Sequence, residues 1–180
     1  MKKFIYPILC LISAIYSVCY AGIGGFRGNA GALSKIGLSH PFLFAVWGIT
    51  TFAVLAFGII QGYRKTKYKF YIWLLAVSFT GILLTVSCDF DYDERVQYVL
   101  HCLGSLTFSA VMGITVFLLF LLSKSYILAA ISGVVLIADL VLLIIFKETA
   151  IIELMPIFTG YILMSIYNFK KEKILIGTHG

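Results

Sequence analysis

Charged residues are scarce in this 180-residue chain, at 12% of the sequence, and there are only 3 prolines. Hydrophobic residues make up 61% and the mean hydropathy is +1.02, whereas soluble domains contain roughly 45–50% apolar residues. A soluble protein could not cover so apolar an interior with so few charges. The composition therefore predicts one integral membrane domain over residues 1–180 and excludes a separate soluble domain.

The common catalytic motifs are also missing. The sequence has no HExxH or HxxxH pair, no Gly-x-Ser-x-Gly nucleophile turn and no phosphate-binding glycine motif. Its four cysteines show no CxxC spacing. No metal site is therefore predicted, the cofactor stays unknown, and the sequence does not decide whether the protein is an enzyme.

Six apolar runs fill the chain, over residues 4–21, 41–61, 70–88, 96–122, 126–146 and 151–169. A helix needs about 20 residues to cross a hydrocarbon core of about 30 Å, and each run is near or above that length. Each run is predicted to be helical, because a bilayer offers no water to unpaired backbone groups. None alternates polar with apolar residues as a transmembrane strand would. The predicted fold is an all-α, polytopic bundle of six transmembrane helices.

The basic residues fall mainly on one side of this bundle. If the chain crosses six times, one side holds Lys2, Lys3, Arg64, Lys65, Lys67, Lys69, Lys124, Lys170, Lys171 and Lys173, and the other Arg27, Lys35, Arg95 and Lys147. The positive-inside rule then places both termini in the cytoplasm, with the chain in the inner membrane. The net charge of +6 is thus a topology signal, and nucleic-acid binding is rejected. The basic start resembles a signal peptide, but residues 18–21 lack a small-x-small cleavage site, so the first span is predicted to be retained.

Titratable groups gather on the opposite, extracytoplasmic side. In the fourth span, Gln97, His101, Ser105, Ser109 and Gly113 recur every four residues and form a polar ridge. Similar faces occur in the third span (Ser78, Gly81, Thr85 and Cys88) and in the fifth (Ser125, Ser132 and Asp139). These faces should point into the bundle, because polar atoms are costly against lipid. The serines are assigned to close helix packing.

His101 and Asp139 are the best candidates for a function. An ionised aspartate near the bilayer core costs about 2.5–3.5 kcal/mol, so Asp139 needs a hydrogen-bond partner or a functional role. A neighbouring carboxylate, most plausibly Asp89, could orient the His101 ring and raise its basicity. Cys88 and Cys102, at the outer ends of neighbouring spans, could form a disulfide, although small apolar packing is favoured.

The first outer loop, residues 22–40, contains six glycines together with Arg27 and Lys35. A glycine-rich segment with two cations could hold a phosphate or carboxylate head group. Because no phosphate-binding spacing is present, a flexible connector is favoured.

The order of several short motifs resembles that of a known family. Ser34-Lys35-Ile36-Gly37 lies in the first outer loop, Pro41 opens the second span, Asp89 ends the third and His101 lies early in the fourth. This pattern is similar to the bacterial six-span membrane proteins catalogued as domain of unknown function 998. It is more distantly similar to the eukaryotic autophagy-modulator and glycolipid-anchor-remodelling membrane proteins. This chain lacks the proline that the family usually carries before the acid. The resemblance implies a six-helix bundle and a connection with lipids.

Two functional hypotheses follow. In the first, the protein binds or modifies a lipid at the extracytoplasmic leaflet, and its partners are membrane lipids. The candidate catalytic residues are then His101, Asp89 and Asp139, and the candidate lipid-binding residues are His40, Ser34, Lys35, Arg27 and Ser105. In the second, it is a non-enzymatic scaffold, sensor or small proton-linked transporter, and its buried polar groups are packing contacts or a proton relay. A homo-oligomer is compatible with both. His40, His101 and Asp89 could ligate zinc only if the helix ends converge.

Overall fold

The computed structural model describes residues 2–26 and 28–177, with side chains over 4–26, 28–29 and 31–169. Within these residues the fold is all-helical, and no strand occurs. The helices are α1 (Lys2–Ile23), α2 (Leu33–Ser39), α3 (Pro41–Tyr63), α4 (Tyr71–Ser87), α5 (Arg95–Leu122), α6 (Tyr126–Phe146) and α7 (Ala150–Gly177). A 3-10 turn over Gly28–Gly31 precedes α2.

Five of these helices are long and apolar enough to cross a membrane. They are α1, α3, α5, α6 and α7, while α4 is equally apolar but only 17 residues long. The six predicted runs begin within about two residues of these helices, because apolar length is the property that a bilayer selects. The last helix continues past its predicted end at 169. The apolar helices identify a multi-pass membrane protein.

Helix α3 lies at the centre of the bundle. It packs against α1, α2, α4, α5 and α7, and half of its apolar span is buried. Helix α6 is the most peripheral, because it packs against α5 and α7 and only 11% of its span is buried. The outer position of α6 leaves room between it and α3.

Helices α4 and α5 form the closest pair in the bundle. A Cβ atom on Gly104 would lie 2.7 Å from the carbonyl oxygen of Gly81, and one on Gly81 would lie 2.7 Å from the backbone nitrogen of Phe108. Ser78 and Thr85, on the same face of α4 as Gly81, are buried. The predicted packing role of this α4 face is therefore confirmed, since small residues allow two helix backbones to approach closely.

The described residues that follow Arg27 form a 3-10 turn and α2, so the prediction of a flexible connector is wrong over residues 28–39. Leu33 and Ile36, three residues apart, are both buried and fix α2 against the bundle. Gly37 packs against the Phe44 ring, where a Cβ atom would lie 2.9 Å from Cγ. Pro41 occupies the first turn of α3, a position in which its missing N–H costs nothing. Helix α2 therefore covers one end of the bundle, called here the α2 end.

Candidate functional site

A cavity of about 590 Å³ fills the space between α3 and α6. Phe44, Trp47 and Leu55 of α3 form its floor, α6 forms its outer wall, and α5 and α7 form its sides. The lining residues run from Phe44 to Leu55 on α3, from Ser132 to Leu143 on α6 and from Ile152 to Leu163 on α7. The cavity therefore begins near the α2 end and extends past the middle of the bundle.

The cavity opens sideways between α5 and α6. Leu106, Ile137 and Leu140 all line it, yet they are 52%, 67% and 51% exposed. A side chain can line the cavity and remain more than half exposed only if it lies at the rim. In a membrane protein such an apolar rim faces the acyl chains. A molecule dissolved in the bilayer can therefore reach the cavity without crossing water.

The polar ridge of α5 faces this cavity. Ser105 and Ser109 line it and are partly exposed, so part of each side chain faces the cavity. One turn farther on, Gly113 also lines the cavity, and it packs closely against the Leu136 side chain of α6.

Two carboxylates on the α6 side of the cavity have oxygens without hydrogen-bond partners. Asp139 of α6 and Glu148 of the α6–α7 turn both line the cavity. Asp139 Oδ1 and Glu148 Oε2 are buried, and neither oxygen has a hydrogen-bond partner within the described residues. Ser132 and Asp139 of α6 line the same cavity as Ser105 and Ser109 of α5. Buried polar atoms are nearly always satisfied, so these two oxygens call for a ligand, a proton or water.

A third carboxylate, Glu153, ties α7 to α2. It lies in the first turn of α7, lines the cavity and accepts a hydrogen bond from the Leu33 backbone N–H at 2.6 Å through Oε2. Its Oε1 accepts a second bond, 3.0 Å long, from the Ser34 hydroxyl. Tyr20 of α1 donates to the Leu33 carbonyl at 2.9 Å. Because the first N–H groups of a helix lack partners within it, Glu153 caps α2 from a distant part of the chain.

His101 faces the bundle interior, as predicted, and is 2% exposed. Its ring stacks on Phe44 with centroids 5.8 Å apart and meets the edge of Phe90 at 5.1 Å. Its Nδ1 lies 2.9 Å from the Cys88 carbonyl oxygen at the end of α4. A carbonyl only accepts, so Nδ1 carries the hydrogen and donates it. The predicted acidic neighbour, Asp89, is exposed and acts on His101 only through its charge.

The other predicted residues are dispersed. His40 is exposed between α2 and α3, and Asp89 bonds through its backbone N–H to Gln97. Lys35 lies over the Tyr92 ring, 5.5 Å from its centroid, and Arg27 falls outside the described residues. No group of three His, Cys, Asp or Glu side chains in the described part could hold a metal ion.

Cys88 and Cys102 are free thiols. The Cys102 thiol lies beside Tyr98 and Glu148 at the α2 end of the cavity.

Of the predicted residues, the cavity brings together Ser34, His101, Ser105 and Asp139. Sequence reasoning missed Glu148 and Glu153. Glu153 lies inside the predicted span 151–169, and an acid within an apolar run could have marked it. Nothing in the sequence could have placed it against Leu33, which is 120 residues away along the chain.

The chain matches no family model, and no curated protein or solved structure is similar to it. Its resemblance to domain of unknown function 998 stays a prediction. Evidence for a function therefore comes from the cavity itself.

The Glu153 contact predicts a specific loss of stability. Glu153→Ala should leave the Leu33 N–H and Ser34 hydroxyl unsatisfied and lower the opening free energy of α2 by about 1–3 kcal/mol. Glu153→Gln should retain most of the opening free energy of α2, because the amide can accept a hydrogen bond from the Leu33 N–H and donate one to the Ser34 hydroxyl. Hydrogen exchange over residues 33–39 measures the effect, with exchange across α4 and α5 as the control for an intact fold. Unchanged protection of α2 in Glu153→Ala would refute the anchoring role.

Proposed function

We propose that this chain is a six-span protein of the cytoplasmic membrane that binds a lipid in the cavity between α3 and α6, on the extracytoplasmic side. The cavity is the observation that supports this proposal most strongly. Its volume of about 590 Å³ lies within the roughly 300–1,000 Å³ of known small-molecule sites. Its walls are mainly apolar, its polar side chains come from several of the surrounding helices, and its rim faces the membrane.

The depth of the cavity suits an acyl chain. On α5 the lining runs from His101 to Val116, fifteen residues apart, which is roughly 22 Å of helix at 1.5 Å per residue. One leaflet contributes only half of a hydrocarbon core of about 30 Å, so the cavity is deeper than one leaflet. A chain lying along α5 would fit this length, with its head group near Ser34 and Glu148 at the α2 end.

The orientation follows from charge. The positive-inside rule places the side with ten basic residues in the cytoplasm, and both termini with it. The α2 end then faces outward. This assignment requires α4 to cross the membrane, and its 17 residues span roughly 26 Å, near the lower limit for crossing.

The crossing of α4 can be tested at its two ends. In a cysteine-free background, Asp93→Cys and Lys67→Cys each place one thiol at an exposed position beyond one end of the helix. A membrane-impermeant maleimide added to intact cells should label the thiol at position 93 and spare the one at 67. Labelling of both from the same side would contradict the six-span count, and the reverse pattern would contradict the orientation.

We favour binding over catalysis. The His101 Nδ1–H donates to a backbone carbonyl, the Phe44 ring stacks on the imidazole, and the Phe90 ring meets it edge-on. The His101 ring therefore links the end of α4 to α5 and serves a structural role. A general base would need a carboxylate partner or a substrate within hydrogen-bonding reach.

The protein has a natural reporter for occupancy. Of its two tryptophans, Trp47 forms part of the cavity floor and is 7% exposed, whereas Trp73 is 77% exposed on α4. In Trp73→Phe protein, emission comes from Trp47 alone. Phospholipids brominated on their acyl chains should quench it, because bromine quenches at short range and the cavity admits a chain to the ring.

A pair of matched variants provides the control. Ser109→Phe places a bulky ring on the cavity wall and should abolish most of the quenching. Leu103→Phe adds a similar ring at an exposed position of α5 that does not line the cavity, and should leave the quenching unchanged. Equal quenching in both variants would show that bulk lipid, not a bound lipid, reaches Trp47.

A further inference from the structure

The described wall of the cavity carries acids without a matching base. Asp139, Glu148 and Glu153 line it, and no lysine or arginine occurs among the described lining residues. Its one histidine, His101, donates its Nδ1–H to the Cys88 carbonyl. The described wall is therefore acidic from Glu148, in the α6–α7 turn, to Asp139. Asp139 lies about two helical turns before the end of α6, which is roughly 10 Å along the helix.

The three acids differ in how their charge is accommodated. Glu153 receives hydrogen bonds from the Leu33 N–H and the Ser34 hydroxyl. Asp139 Oδ1 and Glu148 Oε2 are buried and receive none within the described residues. Uncompensated charges in a low-dielectric interior are costly, so ionised Asp139 and Glu148 require a counter-ion.

The described basic residues near the α2 end do not supply that counter-ion. Lys35 lies over the Tyr92 ring. Lys147 is next to Glu148 in sequence, but it is exposed and lies outside the cavity lining. Arg95, at the start of α5, is also exposed and outside the lining.

We infer that the cavity selects a cationic amphiphile, an apolar chain that carries an ammonium group, with Glu148 and Asp139 supplying the counter-charges. This inference rests on the proposed lipid-binding function and adds the charge of the head group. The apolar floor and the rim between α5 and α6 take the chain. Glu148, in the turn at the α2 end, meets the ammonium group first, and Asp139 extends the negative wall inward.

The ammonium chemistry could belong to a membrane lipid with an aminated head group or to a free amphiphilic amine. A phosphate group beside the amine would weaken binding, since the described wall offers it no cation. The expected order of affinity is therefore cationic, then neutral and zwitterionic, then anionic.

Competition on the Trp73→Phe protein tests the order. Protein in neutral detergent is first quenched with a brominated diacylglycerol, whose head group is uncharged. It is then titrated with dodecyltrimethylammonium, dodecyl maltoside, dodecylphosphocholine or dodecyl phosphate, which share one chain. The ammonium probe should restore Trp47 emission at a concentration about tenfold lower than the other probes, a ratio that corresponds to roughly 1.4 kcal/mol.

Charge-neutral variants identify the acids responsible. Asp139→Asn with Glu148→Gln should remove the preference for ammonium and leave displacement by dodecyl maltoside unchanged. Glu148→Gln alone, in a turn, reports on the outer acid if the double variant does not fold. Glu94→Gln removes an exposed carboxylate outside the cavity lining and should keep the preference.

The outcomes separate the two claims. Equal potency of all four probes would overturn the cationic selectivity, although displacement itself would still support lipid binding. A preference that survives the double variant, or that disappears in Glu94→Gln, would also overturn it, because bulk surface charge would then be the cause. No displacement by any probe would refute the lipid site.

A second titration distinguishes the two sources of the amine. Vesicles of phosphatidylglycerol are compared with vesicles in which part of it is replaced by its lysyl ester. Displacement by the lysyl ester as strong as that by the soluble amine assigns the site to a lipid head group. Displacement by the soluble amine alone assigns it to a free amphiphile.

Discussion

The separation of α6 from α3 is the constraint on which the site depends. In water, apolar helices are driven together, but in a bilayer the acyl chains solvate an apolar helix as well as protein does. Helix α6 is apolar around most of its circumference and needs few protein contacts to be stable. It can therefore bridge α5 and α7 without packing on α3, and the intervening space becomes the cavity.

The opposite side of the cavity is held by polar contacts between α1, α3 and α7. The Ser13 and Tyr161 hydroxyls are 2.7 Å apart, and Trp47 Nε1 donates to Ser17 at 3.1 Å. The rings of Tyr20, Phe44 and Trp47 stack on one another beside these bonds. Each such bond contributes on the order of 0.6 kcal/mol in a membrane, so their main effect is to fix orientation. The cavity thus has a fixed floor and a lightly packed outer wall.

Much of the fold was predictable, because a bilayer imposes length and apolarity on each crossing helix. The start of each helix agrees with the apolar runs within about two residues. Helix α2 was missed because its seven residues are too short to show a periodicity, and only burial of Leu33 and Ile36 defines it. The site was less predictable. Repeated serines on one helix face, such as Ser105 and Ser109, have the same spacing whether they line a cavity or pack against a neighbour.

The most direct test is an experimental density map of the protein in lipid nanodiscs. The account predicts an elongated density between α3 and α6 that ends beside Glu148, with α6 held away from Trp47. A map in which α6 packs directly on α3, with no space for a chain, would contradict it.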